Sequence, residues 1–306
     1  MATPSTEMTP PDAGLNAPWT AYSLWSCTSK YNKNVLDRFN MWSIRLAIGG
    51  AIAATLAEQI GRVNLAGRQV YISETATTLG VLATGATALA AFFSRQAQGD
   101  NHVSNWTRSR SAAESIKSGI FLYRTGAQPF DAPDRAAQIK QRIDKVTEGM
   151  AGVEPRQPEP ASVPDLGRLS VNQYIAVRVQ DQIDWYEKRA KAHQGKSDLC
   201  RNSTTVLLAI SALLTVFAMA PGVSAWAPVV ATMIAAITAH LKTQQYQMLT
   251  ATYVATAQRL RSLLSEWGAS GKTDADKAER NAFIQRCEET MSAENGSWGG
   301  LWAKSS

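Results

Sequence analysis

Hydrophobic and polar positions in this chain are segregated into blocks rather than mixed turn by turn. No Asp, Glu, Lys or Arg occurs between Asn202 and Leu241, and none between Thr75 and Ser94. A helix needs roughly 17–25 mostly apolar residues to cross a bilayer core about 30 Å thick. Four stretches qualify: 44–60, 77–94, 204–220 and 225–241. The first is the weakest, because Arg45 and Glu58 bracket a short Ala-rich run. Pro221-Gly222 marks a tight turn between the last two. Two buried hairpins inside a soluble bundle would be the competing arrangement. It fails on the uncharged run 202–241, which shows little of the polar face a soluble helix presents every 3.6 residues.

Outside these blocks the chain reads as amphipathic helix and loop. Trp106, Ala113, Ile116, Ile120 and Tyr123 share one face, and Pro133 suits the first turn of a helix carrying Ile139, Ile143 and Val146. Residues 151–168 hold four prolines without periodicity and read as a linker. Ser170-x-x-Gln173 is a capping-box signature, and the helix it opens places Tyr174, Arg178, Gln182, Trp185 and Tyr186 near one face. Thr273-x-x-Asp276 is expected to open the last helix, whose apolar face is Phe283, Ile284, Cys287 and Met291. The four prolines and missing apolar core of the first forty residues predict a disordered tail over 1–29, not a signal peptide. Trp298 and Trp302 near the C-terminus would anchor at headgroups or pack on the helices.

An internal repeat emerges at a constant offset of 144 residues: Ala113 meets Ala257, Ile116 meets Leu260, Lys117 meets Arg261, Ile120 meets Leu264, Tyr123 meets Trp267, Ile139 meets Phe283 and Arg142 meets Arg286. The expected fold is therefore all-α, a four-span helical membrane protein of two repeated units, each a transmembrane hairpin followed by cytoplasmic helices. The units would be residues 30–150 and 169–306, joined by the linker 151–168.

Composition refines this picture. The averages, 45% hydrophobic and 18% charged, are those of an ordinary soluble domain and conceal the segregation. A net charge of +6 hints at nucleic acid, but the basic residues gather at the flanks of the apolar stretches and only Arg62 and Arg68 fall near the hairpin tips. That asymmetry predicts a membrane protein with both termini cytoplasmic, the bilayer and not nucleic acid being the partner. Cys27, Cys200 and Cys287 lack ligand spacing and are expected to be free thiols.

Chemistry for an enzyme is hard to find. His102, His193 and His240 are scattered without carboxylate or Cys partners at ligand spacing, so neither a metal nor a cofactor is expected. Gly268-Ala-Ser-Gly271-Lys272-Thr273 imitates the end of a phosphate-binding loop, yet Glu266 stands where a glycine is required, and a helix C-cap followed by an N-cap is the better reading. Glu114, Glu288, Glu289 and Glu294 read as solvated or salt-bridged carboxylates. In the apolar stretches, Gly49, Ala53 and Ala57, with Ala86 and Ala90, make smooth faces for close helix approach. Thr84, Thr87, Ser211, Thr215 and Thr232 add hydroxyls there. Two readings stay open for these: interhelical packing, or a weakly polar pore lining with Glu58 and His240 as its ionisable groups.

The run Tyr174-Ile-Ala-Val-Arg178-Val-Gln-Asp-Gln182-Ile-Asp-Trp185-Tyr186, leading into a membrane hairpin, resembles the signature of the SLATT family, bacterial two-helix membrane domains associated with SMODS nucleotidyltransferases and SLOG sensors. Trp106-x-Arg108-x-Arg110-x3-Glu114-x2-Lys117 is similar to the segment after the membrane helices in another branch of that family. The resemblance implies a tandem SLATT protein that oligomerises and permeabilises the membrane on a nucleotide or partner signal, in antiphage suicide or growth arrest. A sensor encoded nearby would be its partner. Arg178, Gln182, Trp185 and Tyr186, with Arg110 and Glu114, would couple signal to membrane, or else be ordinary helix packing. The alternative to an effector is a non-toxic scaffold or regulated ion channel whose cytoplasmic bundle recruits a partner.

Overall fold

The computed structural model describes residues 13–62, 69–97, 99–158, 165–220, 222–271, 273, 274 and 276–302. Its regular elements are all helical among the described residues. The main helices are α1 (Asn16–Arg62), α2 (Gln69–Ala97), α3 (Asp100–Thr125), α4 (Arg135–Glu148), α5 (Val171–Tyr174), α6 (Asp181–Val216), α7 (Ala227–Gln244), α8 (Tyr246–Ala269) and α9 (Lys277–Trp302). Residues Ile175–Gln180 form a π-helical turn that joins α5 to α6 without a break. The capping box that opens this run forms: the Gln173 N–H donates to Ser170 Oγ (3.2 Å), and the Ser170 N–H donates to Gln173 Oε1 (2.9 Å).

Among the described residues, four helices are long and apolar enough to cross a membrane, with mean hydropathy of 1.2 to 1.6 over their most apolar windows, of which only 6–11% of residues are buried. Those windows lie within longer helices. The first apolar stretch is the second half of the 47-residue α1, and the third ends with α6 at Val216, after which Phe217 to Ala220 turn. Gly222 takes φ 81° at the tip, as the turn requires.

Contacts divide the chain into two compact units, and each draws on both halves of the sequence. The first holds residues 13–33, 103–191 and 250–302 of the described chain; the second holds 34–102 and 192–249. Compactness therefore does not follow the two repeated units expected from the 144-residue offset. Within the first unit, Ala113 and Ala257, Ile116 and Leu260, and Ile139 and Phe283 are all buried, whereas Ile120 is buried and Leu264 is not.

Two expectations need correction. Residues 16–29 are not a disordered tail: they are the first turns of α1, where Leu15, Pro18, Trp25, Thr28, Ser29 and Asn32 fall at near-helical spacing and are buried. Local proline content misled because Pro18 sits in the helix's first turn, where its missing N–H costs nothing. The segment 151–168, read as a linker, is held at both ends. Arg108 donates to the carbonyls of Gly149 (2.8 Å) and Ala151 (3.0 Å), Arg124 to those of Gly167 (2.9 Å) and Asp165 (2.8 Å), and the Arg156 N–H to Thr28 Oγ1 (2.9 Å). The last helix opens at Lys277 and not Thr273; the Arg280 N–H donates to the Asp276 carbonyl (2.9 Å) as its first turn closes. Trp298, Trp302, Arg62 and Arg68 have side chains outside the described set, as do Pro221, Lys272 and most of residues 1–13.

Candidate functional site

The helix face from Tyr174 to Tyr186 is expected to carry function, and in the first unit it meets α9. Arg178 is 2% exposed and Glu288 is 3% exposed. The guanidinium grips the carboxylate through two parallel bonds, Nε to Oε1 and Nη2 to Oε2, each 3.0 Å. Tyr174 Oη donates to the same Oε1 at 2.9 Å, so one carboxylate holds two residues four apart on one helix. The Arg178 guanidinium also lies over the ring of Phe121 from α3 at 4.9 Å, and Phe121 meets Tyr174 edge-on. Burial opposes the charge on Arg178, but the Glu288 carboxylate outweighs it and raises the guanidinium pKa above its ordinary value. Burial, reinforced by Glu288, raises the Tyr174 phenol well above its usual range, so it remains a donor.

Nearby groups complete the set. Burial and the neighbouring Arg178 depress the Lys117 ammonium, against the pull of Glu114. Its Nζ lies 5.8 Å over the ring of Tyr22, on the helix the tail was not expected to form. Arg178 Nη1 is buried and has no hydrogen-bond partner among the described residues.

A second, similar pairing lies two turns along. Glu294, also buried, accepts a hydrogen bond from Tyr186 Oη at 3.3 Å and is ion-paired with Arg110 at 3.6 Å. Trp185, Tyr186 and Tyr253 form a triangle of rings with centroids 5.3 to 5.6 Å apart, and Arg110 lies 5.8 Å over Trp185. Gln182 is buried between the two pairings in sequence, and Trp106 is buried with Lys33 over its ring at 4.7 Å. The structure therefore brings Tyr174, Arg178, Tyr186 and Arg110 onto two α9 carboxylates.

Glu288 and Glu294 are the partners of this face that the sequence reading undervalued. They are salt-bridged, as one reading had it, but buried rather than solvated. A signal existed: Ile284, Cys287, Glu288, Met291 and Glu294 follow 3–4 spacing, which puts both carboxylates on the apolar stripe. The adjacent Cys287 is fully buried, and burial with the Glu288 charge pushes its thiol up to about 12.

In the second unit the hydroxyls turn inward to their own helices. Thr84 donates to the Gly80 carbonyl, Thr87 to Ala83, Thr215 to Ser211 and Thr232 to Pro228, at 2.8 to 3.0 Å. Glu58 is exposed and Ser211 half-buried. His240 Nε2 lies 2.9 Å from Tyr246 Oη, and the His193 ring packs on the same tyrosine, so two histidines distant in sequence share one partner. Close approach of α1 to α2 falls on Gly50 rather than Gly49. A Cβ at Gly50 would stand 3.0 Å from Thr87 Oγ1 and 3.2 Å from the Ala83 carbonyl oxygen, while at Gly49 it would meet nothing within 4 Å. Gly49, which the four-residue spacing selected, is thus not the contact, and only the packed helices choose which of two adjacent glycines faces in. Gln59 Nε2 donates to the Gly222 carbonyl at 2.8 Å, tying α1 to the second hairpin's tip.

No group of three or more His, Cys, Asp or Glu is arranged to hold a metal ion among the described residues. The phosphate-loop mimic is a helix end: α8 stops at Ala269, the Ser270 N–H donates to the Glu266 carbonyl (3.1 Å), and Gly271 has φ 61°.

Fold and site together define an all-helical membrane protein with four candidate spans and a separate unit built on buried ion pairs. Residues 174–298 match the model of the SMODS and SLOG-associating 2TM effector domain 1, and residues 23–138 match that of a protein of unknown function, DUF4231. The match supports a SLATT-type domain over residues 174–298. The first match begins at Tyr174 and spans Arg178, Glu288 and Glu294. No curated protein and no solved structure matches the chain.

Proposed function

We propose that this protein is a signal-gated membrane effector of a bacterial conflict system. Several copies associate through their first units and rearrange the apolar hairpins into a leak that kills or arrests the cell. The SLATT domain itself indicates a membrane effector in such systems. The observation that carries the gating is the Arg178–Glu288 pair. Its arginine lies on one uninterrupted helical run, Val171–Val216, whose later residues are a candidate span. A signal that alters the hold of α9 on that helix acts on the span directly, with no loop to absorb the movement. The basic flanks of the apolar stretches support an inner-membrane location with cytoplasmic termini. Ionisable Glu58 and His240 and the hydroxyls of Thr84, Thr87, Ser211, Thr215 and Thr232 supply a weakly polar lining once helices regroup.

The test is expression of the chain alone and with its genomic neighbours, read as viability and membrane potential, together with dye leakage from proteoliposomes. Depolarisation and leakage on activation are expected. An intact barrier under every activating condition overturns the leak, and unimpaired growth with partner recruitment selects the scaffold instead.

A further inference from the structure

The first unit contains a cavity of about 610 Å³, none of whose lining residues belongs to the two ion-paired clusters. It is enclosed by the end of α3, the turn that follows, residues 168–170 and the start of α9. Its volume falls within the roughly 300–1,000 Å³ typical of small-molecule sites. What sets it apart is charge. Arg124, Arg135, Arg168, Lys277 and Arg280 line it, against two carboxylates, Asp131 and Asp274.

Both carboxylates are already engaged. Asp131 is paired with Lys277 at 3.5 Å, and both oxygens of Asp274 accept from the Val171 N–H at 3.2 Å, closing the start of the α5 run. Arg124 donates to two carbonyls, Arg280 Nη1 to the Asp274 carbonyl at 3.4 Å, and Arg135 lies 4.6 Å over the Tyr123 ring. Arg124 also feels the Asp165 carboxylate, which lies outside the lining. Arg280 Nε is buried without a hydrogen-bond partner among the described residues. Converging guanidinium groups around a concavity cost self-repulsion, and a surface built only for packing would match them with acids. Such a concavity focuses positive potential and presents planar forks suited to phosphate oxygens.

We infer that this cavity binds a small molecule bearing two or more phosphates, whether free in solution as a nucleotide-like polyphosphate or carried on a lipid headgroup. Arg168 and Arg280 supply the fork, and Lys277 a mobile point charge. As an input to the membrane helices the ligand would serve the effector reading above, but binding is measured without any leakage readout, so the two ideas fail separately.

The experiment is titration calorimetry of the full chain in nanodiscs of zwitterionic lipid, with inorganic tripolyphosphate and with ATP, repeated in discs containing cardiolipin, whose headgroup carries two phosphates. Saturable, salt-sensitive binding is expected, weakened about tenfold or more in an Arg168→Glu/Arg280→Glu chain and less in an Arg168→Lys/Arg280→Lys chain, which keeps the charge but loses the fork. Arg259→Glu, at an exposed position of α8, leaves binding unchanged. Loss of tripolyphosphate binding in the anionic discs assigns the site to headgroups, and retention assigns it to a free ligand; either supports the inference. Should the reversed pair lower the melting temperature, Arg168→Gln/Arg280→Gln replaces it. Absence of saturable binding in both kinds of disc, or binding indifferent to every pocket variant, overturns it.

Discussion

The two units of this chain solve opposite packing problems. The first buries its large side chains and, with them, its most charged groups: Arg178, Tyr174, Tyr186, Ile183 and Leu260 are nearly inaccessible, and Glu288 and Glu294 lie among them. The second is turned inside out. Val81 is 67% exposed, Val216 73% and Phe217 60%, while the buried positions include small residues such as Ala83, Ala90 and Thr55. Water drives apolar groups inward in the first unit and leaves arginine and glutamate to find each other. Lipid offers no such drive, so the second packs through small side chains and hydroxyls that satisfy their own helices. A single substitution should therefore act by different physics in each unit.

The largest contrast is expected at the buried pair. Glu288→Ala strands the Arg178 charge and the Tyr174 hydroxyl, at a cost of about 3–5 kcal/mol. Thermal unfolding in detergent should show the first unit melting far earlier. Arg178→Met combined with Glu288→Leu should recover most of that loss, and a double variant as unstable as the single would show that charge pairing is not what holds α9.

In the second unit the greatest effect should come from bulk. Gly50→Leu forces side-chain atoms against Thr87 and the Ala83 backbone, an overpacking of about 1–3 kcal/mol, whereas Gly49→Leu points into open space. Cysteine cross-linking of Ser43 with Ala90, whose side chain and carbonyl bond at 3.0 Å, reports the seam. Equal cross-linking in both glycine variants would break the assignment. At the tip, Gly222→Ala combines a left-handed backbone with a Cβ 2.9 Å from Gln59 Oε1. It should cost about 1–2 kcal/mol, read as increased proteolysis between α6 and α7.

Smaller still is the cap. Ser170→Ala removes one half of the capping box, about 1 kcal/mol, visible as faster amide exchange over residues 171–174.

A pH titration sharpens the comparison from the first unit's side. The folded Cys287 thiol titrates at about 12 against an ordinary value of 9.0. Because its folded pKa is raised, the stability tied to the neutral thiol is complete below about 9 and declines as pH rises from there toward 12. Alkylation near pH 8 should label Cys27 and Cys200, which are half-exposed, and spare Cys287. Rapid labelling of Cys287 in the native chain would contradict its burial.

Much of this architecture was legible along the chain. Uncharged runs such as 202–241 can be placed in few environments other than lipid, and the Ser170-x-x-Gln173 box is a local device whose partners lie within one turn. The Tyr174-to-Tyr186 face was legible for the same reason, since helical spacing puts those residues together whatever surrounds them. Its partners were not. Glu288 is 110 positions from Arg178, and one carboxylate on an apolar stripe looks like any other until another helix is laid on it. The tail was misjudged because Trp25 and Thr28 acquire their meaning only from the unit that buries them.

By itself, then, the sequence determined helix type, the four apolar stretches and which residues share a helix face, all consequences of local period and of the cost of desolvating charge. The tertiary structure alone decided which carboxylates meet Arg178 and Arg110, which of Gly49 and Gly50 faces its neighbour, and how Arg124, Arg168 and Arg280 come to line one cavity. Those choices depend on contacts between residues far apart in the chain, whose energies arise only once the helices pack.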